Sequence, residues 1–206
     1  MTDSIPRRHF LFGRLLGRLI LRLFGWQIEG ELPHLSKCVI VVAPHTSNWD
    51  FIFGMAAALA LDLDANWLGK HSLFHYRPVA RVLIWLGGVP VDREHPHGII
   101  ENILNESITR EKFLLGVAPE GTRKPVQHWK TGAWHIAHRA GIPILPGRID
   151  YSRKVISILE PFMVDDDMEQ EMLKISRLYS AEQAKHPDKF MPHRPAHLPP
   201  PGVNDC

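Results

Sequence analysis

A chain of 206 residues and 23.5 kDa is long enough for one large α/β domain and short for two. Hydrophobic residues make up 45% and charged residues 22%, which supplies a core able to bury roughly 70% of the unfolded chain's surface and excludes wholesale disorder. Two cysteines, Cys38 and Cys206, exclude a disulfide framework and a Cys-rich zinc site and point to a reducing compartment, while the net charge of +2 averages over regions that differ and names no nucleic acid as a partner.

The N-terminal arm holds the charge asymmetry. From Met1 to Gly25 there are five arginines against one acid, Asp3. Arg14, Arg18 and Arg22 recur every four residues and share one stripe of a helical wheel with Arg7, and Phe10, Phe12, Leu15, Leu16, Leu19, Leu23 and Phe24 fill much of the rest. This pattern predicts an interfacial helix, its apolar side among acyl chains and its arginines reaching the phosphates of an anionic membrane surface. The alternative is a first helix packed on its own domain. Three arginines interrupt a stretch already shorter than the roughly 20 apolar residues of a membrane span, and no small-residue cleavage site follows for a signal peptide. Trp26, just after the helix, is placed for a membrane-interface belt.

Beyond the arm, strand and helix signals alternate. Cys38–Ala43 is a β-branched run ended by Pro44, as expected of a strand buried on both faces. Trp49–Leu63 has helical periodicity with Ser47 or Asn48 as N-cap. Arg77–Leu86 is a helix stopped by Gly87-Gly88, Val89–Val91 is extended, and Gly98–Thr109 is helical. Phe113–Ala118 is a second buried strand halted by Pro119, Gly132–Ala140 a helix ending at Gly141, and Ile142–Pro146 and Val155–Leu159 are extended. Asp165–Ala184 is expected as a polar helix, and His186–Cys206, rich in proline, as an irregular, partly disordered tail. The whole predicts an α/β fold: a mainly parallel central sheet with helices on both faces, preceded by an N-terminal amphipathic helix. The divisions are a membrane-interface arm at 1–29, an α/β domain at 30–185 and a tail at 186–206.

Both buried strands end at a proline and hand over to a polar cluster, Pro44-His45-Thr46-Ser47-Asn48-Trp49-Asp50 and Pro119-Glu120-Gly121-Thr122-Arg123. Loops at strand carboxyl ends are where open α/β sheets bind ligands. His45 and Asp50 would lie roughly 140° apart on an ideal helix, so they meet only if the segment begins as a turn. With the helix starting near Asn48, Asp50 reaches back to one ring nitrogen of His45 and leaves the other free as a base. The bland alternative is that Asp50 only complements the helix dipole. In the second cluster Gly121 permits close backbone approach and Arg123 offers a fork suited to phosphate. Gly87–Arg93 brings Arg93 after another short strand. Singly, each arginine could be a surface ion pair; two at two strand ends suggest an anionic substrate.

Together these segments resemble the glycerophospholipid acyltransferase family, which includes bacterial 1-acylglycerol-3-phosphate acyltransferases. His45-Thr46-Ser47-Asn48-Trp49-Asp50 fits that family's His-x4-Asp block, Gly87–Arg93 its Asp-Arg block and Pro119–Arg123 its Pro-Glu-Gly-Thr-Arg block. Lys130, before Gly132, and Ile142–Pro146 are similar to its later segments. The resemblance covers roughly Val39 to Gly147. It implies that His45 is a general base, oriented by Asp50, for the hydroxyl of a lysophospholipid that attacks an acyl thioester, from acyl-CoA or acyl carrier protein, directly. It also implies that Arg93, Glu120, Gly121, Thr122, Arg123 and Lys130 form the substrate-binding set, with no cofactor and no metal. An enzyme of this kind is expected peripherally on the inner face of the cell membrane.

Two other functions use the same features: a non-catalytic membrane-associated lipid-binding protein, and a thioesterase or esterase in which His45 activates water. The chain has no Gly-x-Ser-x-Gly elbow, P-loop or Gly-x-Gly-x-x-Gly. His71-x3-His75 and His135-x2-His138 have metal-compatible spacing but lack the partners of a known motif.

Overall fold

The computed structural model describes residues 5–91 and 96–195. A seven-stranded sheet is ordered β1-β7-β6-β2-β5-β3-β4. Its strands are β1 (Gln27–Glu29), β2 (Lys37–Ala43), β3 (Asn66–Lys70), β4 (Gly88–Val91), β5 (Phe113–Val117), β6 (Ile144–Asp150) and β7 (Val155–Ile158). β2 lies at the centre, parallel to β5 and β6, with Val39 opposite Leu115 on one side and Ile144 on the other. Its Cys38, Val39, Val41 and Ala43 are fully buried, as a β-branched run covered on both faces should be. The α/β fold with a mostly parallel sheet is therefore present, with one exception. β6 and β7 are antiparallel, because only the four residues 151–154 join them, and a parallel return needs a crossover of a dozen residues or more.

The short strands β1 and β3 escape sequence patterning. β3 reads Asn-Trp-Leu-Gly-Lys, without a β-branched residue, and owes its existence to the ladders offered by β4 and β5.

Helices α1 (Leu11–Leu23) and α2 (Asn48–Ala60) cover one face of the sheet, joined to it through a cluster of Leu21, Trp26, Phe53 and Ile149. Helices α4 (Pro96–Thr109), α5 (Gly132–Ala140) and α6 (Met168–Ser176) cover the other, where Ile103, Ile136, Met172 and Ile175 meet Val39 and Val41. Helix α3 (Arg77–Trp85) lies beside β4.

The arm is not detached from the domain. α1 packs on α2 through Gly13, Gly17 and Leu21. A Cβ on Gly17 would stand 2.4 Å from the Ala56 carbonyl oxygen, so only glycine permits this approach of two backbones. The leucines stay outside: Leu15 is 56% exposed and Leu23 72%. The helix is packed on its own domain by its glycine stripe, and its apolar face is turned outward. Arg7 does not join the helical stripe. It precedes α1, forms a bridge with Leu63 and donates from Nη1 to the Leu61 carbonyl. Trp26 is also corrected: it is buried and stacked on Phe53 at 4.5 Å, a core residue and not part of an exposed belt.

The expected polar helix at 165–184 is shorter. α6 starts at Asp167, whose carboxylate accepts from the Gln170 N–H, and stops at Ser176. Beyond it the buried Tyr179 donates its hydroxyl to the Val41 carbonyl, a tertiary tether that pulls the chain off the helical path. Residues 186–195 lack long regular elements but are packed: Phe190 is buried, Trp129 Nε1 donates to the Met191 carbonyl, and the Arg194 N–H donates to the Gln127 carbonyl.

Candidate active site

The carboxyl ends of β2, β5 and β6 converge, so the segments that follow them share one rim. After β2 the chain passes a cis Ala43–Pro44 peptide to His45 and enters α2 at Ser47. Ser47 caps the helix, its hydroxyl accepting from the Trp49 N–H, and Asp50 reaches back so that Oδ2 accepts from the Ser47 N–H at 2.7 Å. The same Oδ2 is 3.5 Å from His45 Nδ1. The functional and the capping alternatives for Asp50 are thus one arrangement: the carboxylate that finishes the helix N-terminus also faces the imidazole. Asp50 is 2% exposed, so this field is little screened by water.

Asp50 Oδ1 is taken by a residue outside every sequence expectation. The hydroxyl of Tyr151, the first residue after β6, donates to it at 2.6 Å. Burial first, and then Asp50, hold the phenol protonated well above its ordinary range, so Tyr151 is a permanent donor. A lone tyrosine beyond a strand end carries no spacing signal, and only its place beside α2 reveals it.

Glu120 follows β5 and is 5% exposed. Its Oε1 accepts from the His45 N–H at 2.8 Å, and Oε2 has no hydrogen-bond partner among the described residues. Burial pushes this carboxyl up to about 7, against the lowering effect of backbone bonds from Glu120 and His45. One oxygen of its carboxylate thus braces the backbone of His45. Gly121 sits at φ +65°, with Lys130 side-chain carbons packed above it; the left-handed conformation there favours glycine. Thr122 Oγ1 accepts from the Lys124 N–H. Arg123 Nη1 donates to Asn48 Oδ1, which ties this loop to the first turn of α2. The Lys130 N–H donates to the Pro119 carbonyl at 2.7 Å, which folds 119–130 back on itself. His45, Asp50, Glu120, Gly121, Thr122, Arg123 and Lys130 therefore lie in one interlinked loop cluster, whereas Arg93 lies outside the described residues.

A family model described as Acyltransferase matches residues 27–150. The chain belongs to the acyltransferase family. Among relatives, a 1-acyl-sn-glycerol-3-phosphate acyltransferase of Escherichia coli is 32% identical over 151 residues, covering 68% of this chain and 59% of that protein. One from Salmonella typhimurium is 27% identical, with 93% of this chain and 86% of that protein covered. This acyltransferase chain thus spans less than two thirds of the length of the first of these. The crystal structure of the 1-acyl-sn-glycerophosphate acyltransferase PlsC from Thermotoga maritima has the same fold, with a TM-score of 0.56 at 19% identity over 81% of this chain and 75% of that one. Its likeness extends to the fold alone.

The histidine pairs with metal-compatible spacing are engaged otherwise. His71 and His75 meet at 3.3 Å, and His138 faces Asp166 at 2.7 Å. Among the described residues no group of three or more His, Cys, Asp or Glu is placed to hold a metal ion.

Proposed function

We propose that this chain transfers a fatty acyl group from a soluble thioester, acyl-CoA or acyl carrier protein, to the free hydroxyl of a lysophospholipid such as 1-acylglycerol-3-phosphate. The observation that carries this reading is His45, braced at its backbone by Glu120 and faced at Nδ1 by a buried Asp50 whose other oxygen is tied to Tyr151. With Nδ1 turned to the carboxylate, Nε2 is the basic position. It takes the proton of the acceptor hydroxyl as that oxygen attacks the thioester carbonyl. The tetrahedral oxyanion then collapses, the carbon–sulfur bond breaks, and the departing thiolate takes the proton from the imidazolium. Asp50 is worth most in between, when the ring is positive. A thioester is already activated, so a base, two positioned substrates and an oxyanion environment suffice. Arg123, with Gly121, Thr122 and Lys130, is assigned to the acceptor's anionic group, Arg93 by sequence resemblance to the same task, and Glu120 to holding His45.

A membrane-borne acceptor also gives the outward apolar surface a use. Leu11, Leu15, Leu19 and Leu23 of α1 are exposed, as are Val79, Val82 and Trp85 of α3. Phe10 links the two helices, meeting Trp85 edge-on at 5.2 Å. Arg18 and Arg22 flank this face, exposed, as an interfacial surface on anionic lipid requires. Among the described residues no helix is long and apolar enough to cross a membrane. In this reading the chain lies on the inner face of the cell membrane.

Activity is tested by giving purified protein oleoyl-CoA or oleoyl-acyl carrier protein with 1-acylglycerol-3-phosphate and following the diacyl product by mass spectrometry. Thioester consumption without that product would leave a hydrolase. Docking is tested with Leu15→Gln/Leu19→Gln. Both side chains are exposed, so the variant is expected to keep its melting temperature and lose sedimentation with anionic vesicles; unchanged sedimentation would overturn the membrane reading.

A further inference from the structure

Beside Asp50 lies a second feature that the general base and the arginine loop do not use. A cavity of about 260 Å³ opens between the end of α1, the start of α2 and Tyr151. Trp26, Trp49, Phe53 and Tyr151 wall it, Phe24 forms its rim, and two ammonium groups, Lys154 and Lys185, close the lining, which includes no carboxylate. Lys185 Nζ stands 4.9 Å from the Trp49 ring centre and 5.8 Å from that of Tyr151. Lys154 Nζ donates to the Phe24 carbonyl. Neither lysine has a carboxylate partner among the described residues.

Lys185 is carried there by a fixed stretch of chain. The Tyr151 N–H donates to the Gln183 carbonyl at 2.9 Å, and the His186 N–H donates to Thr46 Oγ1 at 3.2 Å. The backbone is bolted on both sides of the lysine, once to the residue that holds Asp50 and once to the loop that carries His45. Ala184 is buried next to it. A cation held half-buried over two rings by this much fixed backbone, with no opposing charge, suits an anion that arrives from outside. The aromatic walls and the rim at Phe24, where α1 turns its leucines outward, suit an apolar stem on the same molecule.

We propose that this aromatic cleft is an acceptor-recognition subsite: Lys185, assisted by Lys154, adds a second cationic contact, alongside the one assigned to Arg123, to the anionic head group of a single-chain amphiphile whose apolar stem lies along Trp49 and Phe53. The site makes Lys185 a specificity-determining residue for anionic over neutral acceptors. The inference rests on the acyl-acceptor reading above for its role in turnover, but binding is measurable without turnover.

Trp26 and Trp49 in the wall supply the readout. Full-length protein is titrated with short-chain, monomeric lysophosphatidate, and tryptophan emission is followed. A saturable change is expected. Lys185→Ala is expected to weaken it about tenfold or more, the scale of one charge-assisted hydrogen bond, and Lys185→Arg to restore most of it. A monoacylglycerol of equal chain length is expected to bind wild type and Lys185→Ala alike, and free coenzyme A is expected not to compete. Equal lysophosphatidate affinity in wild type and Lys185→Ala, or no saturable binding by wild type, overturns the proposal. Competition by coenzyme A would assign the lysines to the donor's phosphates and overturns it too. Circular dichroism melts of each variant separate lost binding from lost folding. Binding with these properties in a protein that forms no diacyl product would refute the acyltransfer reading and leave the subsite standing.

Discussion

The His45 side of the candidate site and the Tyr151 side are held by opposite means. His45, Asp50, Glu120 and Arg123 lie in two short chain segments, each beginning where a buried strand meets proline, and their relations follow from local rules: a helix cap, a turn at Gly121, a loop folded on itself. Tyr151 comes from a strand end, 101 residues from its partner Asp50, and Lys185 from a C-terminal stretch whose next residue, His186, lies 140 residues from its partner Thr46. In the proposed reaction the first half carries the reactive chemistry and is written compactly; the second carries orientation and is assembled by packing. Reactive groups need fixed spacing to one another, whereas a group that only steadies another can enter from any element that reaches it.

The sharpest test of this division is His45→Ala, expected to reduce kcat by about 10² to 10⁴, the contribution of a general base. Its melting temperature should barely change, because the ring is partly exposed and contributes little to the core. Near-normal turnover would remove His45 from the chemistry. Tyr151→Phe takes away one donor to Asp50 and leaves the ring packing against Trp26 and Phe53. A loss of about tenfold in kcat is expected, equivalent to one strong hydrogen bond, with acceptor KM little changed. If kcat held and only stability fell, Tyr151 would be a structural residue and the orienting half of the site would shrink to the main chain.

Arg123→Lys keeps the charge but replaces a planar fork with a point charge. A rise of about three- to tenfold in acceptor KM is expected, with kcat changed less. Identical KM values would make Arg123 a tie to Asn48 and nothing more.

The smallest effect on rate belongs to Glu120→Gln, which retains an acceptor for the His45 N–H; its signature is in pH-dependent stability. Burial raises the Glu120 carboxyl from about 4.5 to about 7, so the folded protein binds more protons than the unfolded chain between those values. Its contribution is therefore fully present below about pH 4.5 and is lost as pH rises through about 7, a change of at most about 3 kcal/mol. Urea midpoints at pH 5 and pH 7.5 should fall further in wild type than in Glu120→Gln. Parallel slopes would show that the carboxyl titrates normally.

Much of the scaffold was legible in the chain. Val39, Val41 and Leu115 declared buried strands by composition, Ser47 and Asp50 declared a helix start, and Gly141 an end, at φ +61°. The same local logic brought His45 and Asp50 together. What stayed hidden shares one physical cause. β3, the antiparallel pairing of β7 and the early stop of α6 depend on ladders and tethers supplied by distant residues. The outward leucines of α1 depend on which stripe α2 accepts, and α2 accepts Gly17 because Ala56 and Ala60 leave room for backbone contact.

By itself the sequence determined the elements with strong periodicity, the two polar loops at strand ends and the meeting of His45 with Asp50, because caps, turns and β-branched runs act within a few residues. Only the tertiary structure decided that Asp50 answers to Tyr151, that Glu120 is turned to the His45 backbone, that Trp26 is core and that Lys185 overhangs the cleft. Those contacts join segments with no local relation to one another, and what selects them is the burial and hydrogen-bond satisfaction of the folded whole.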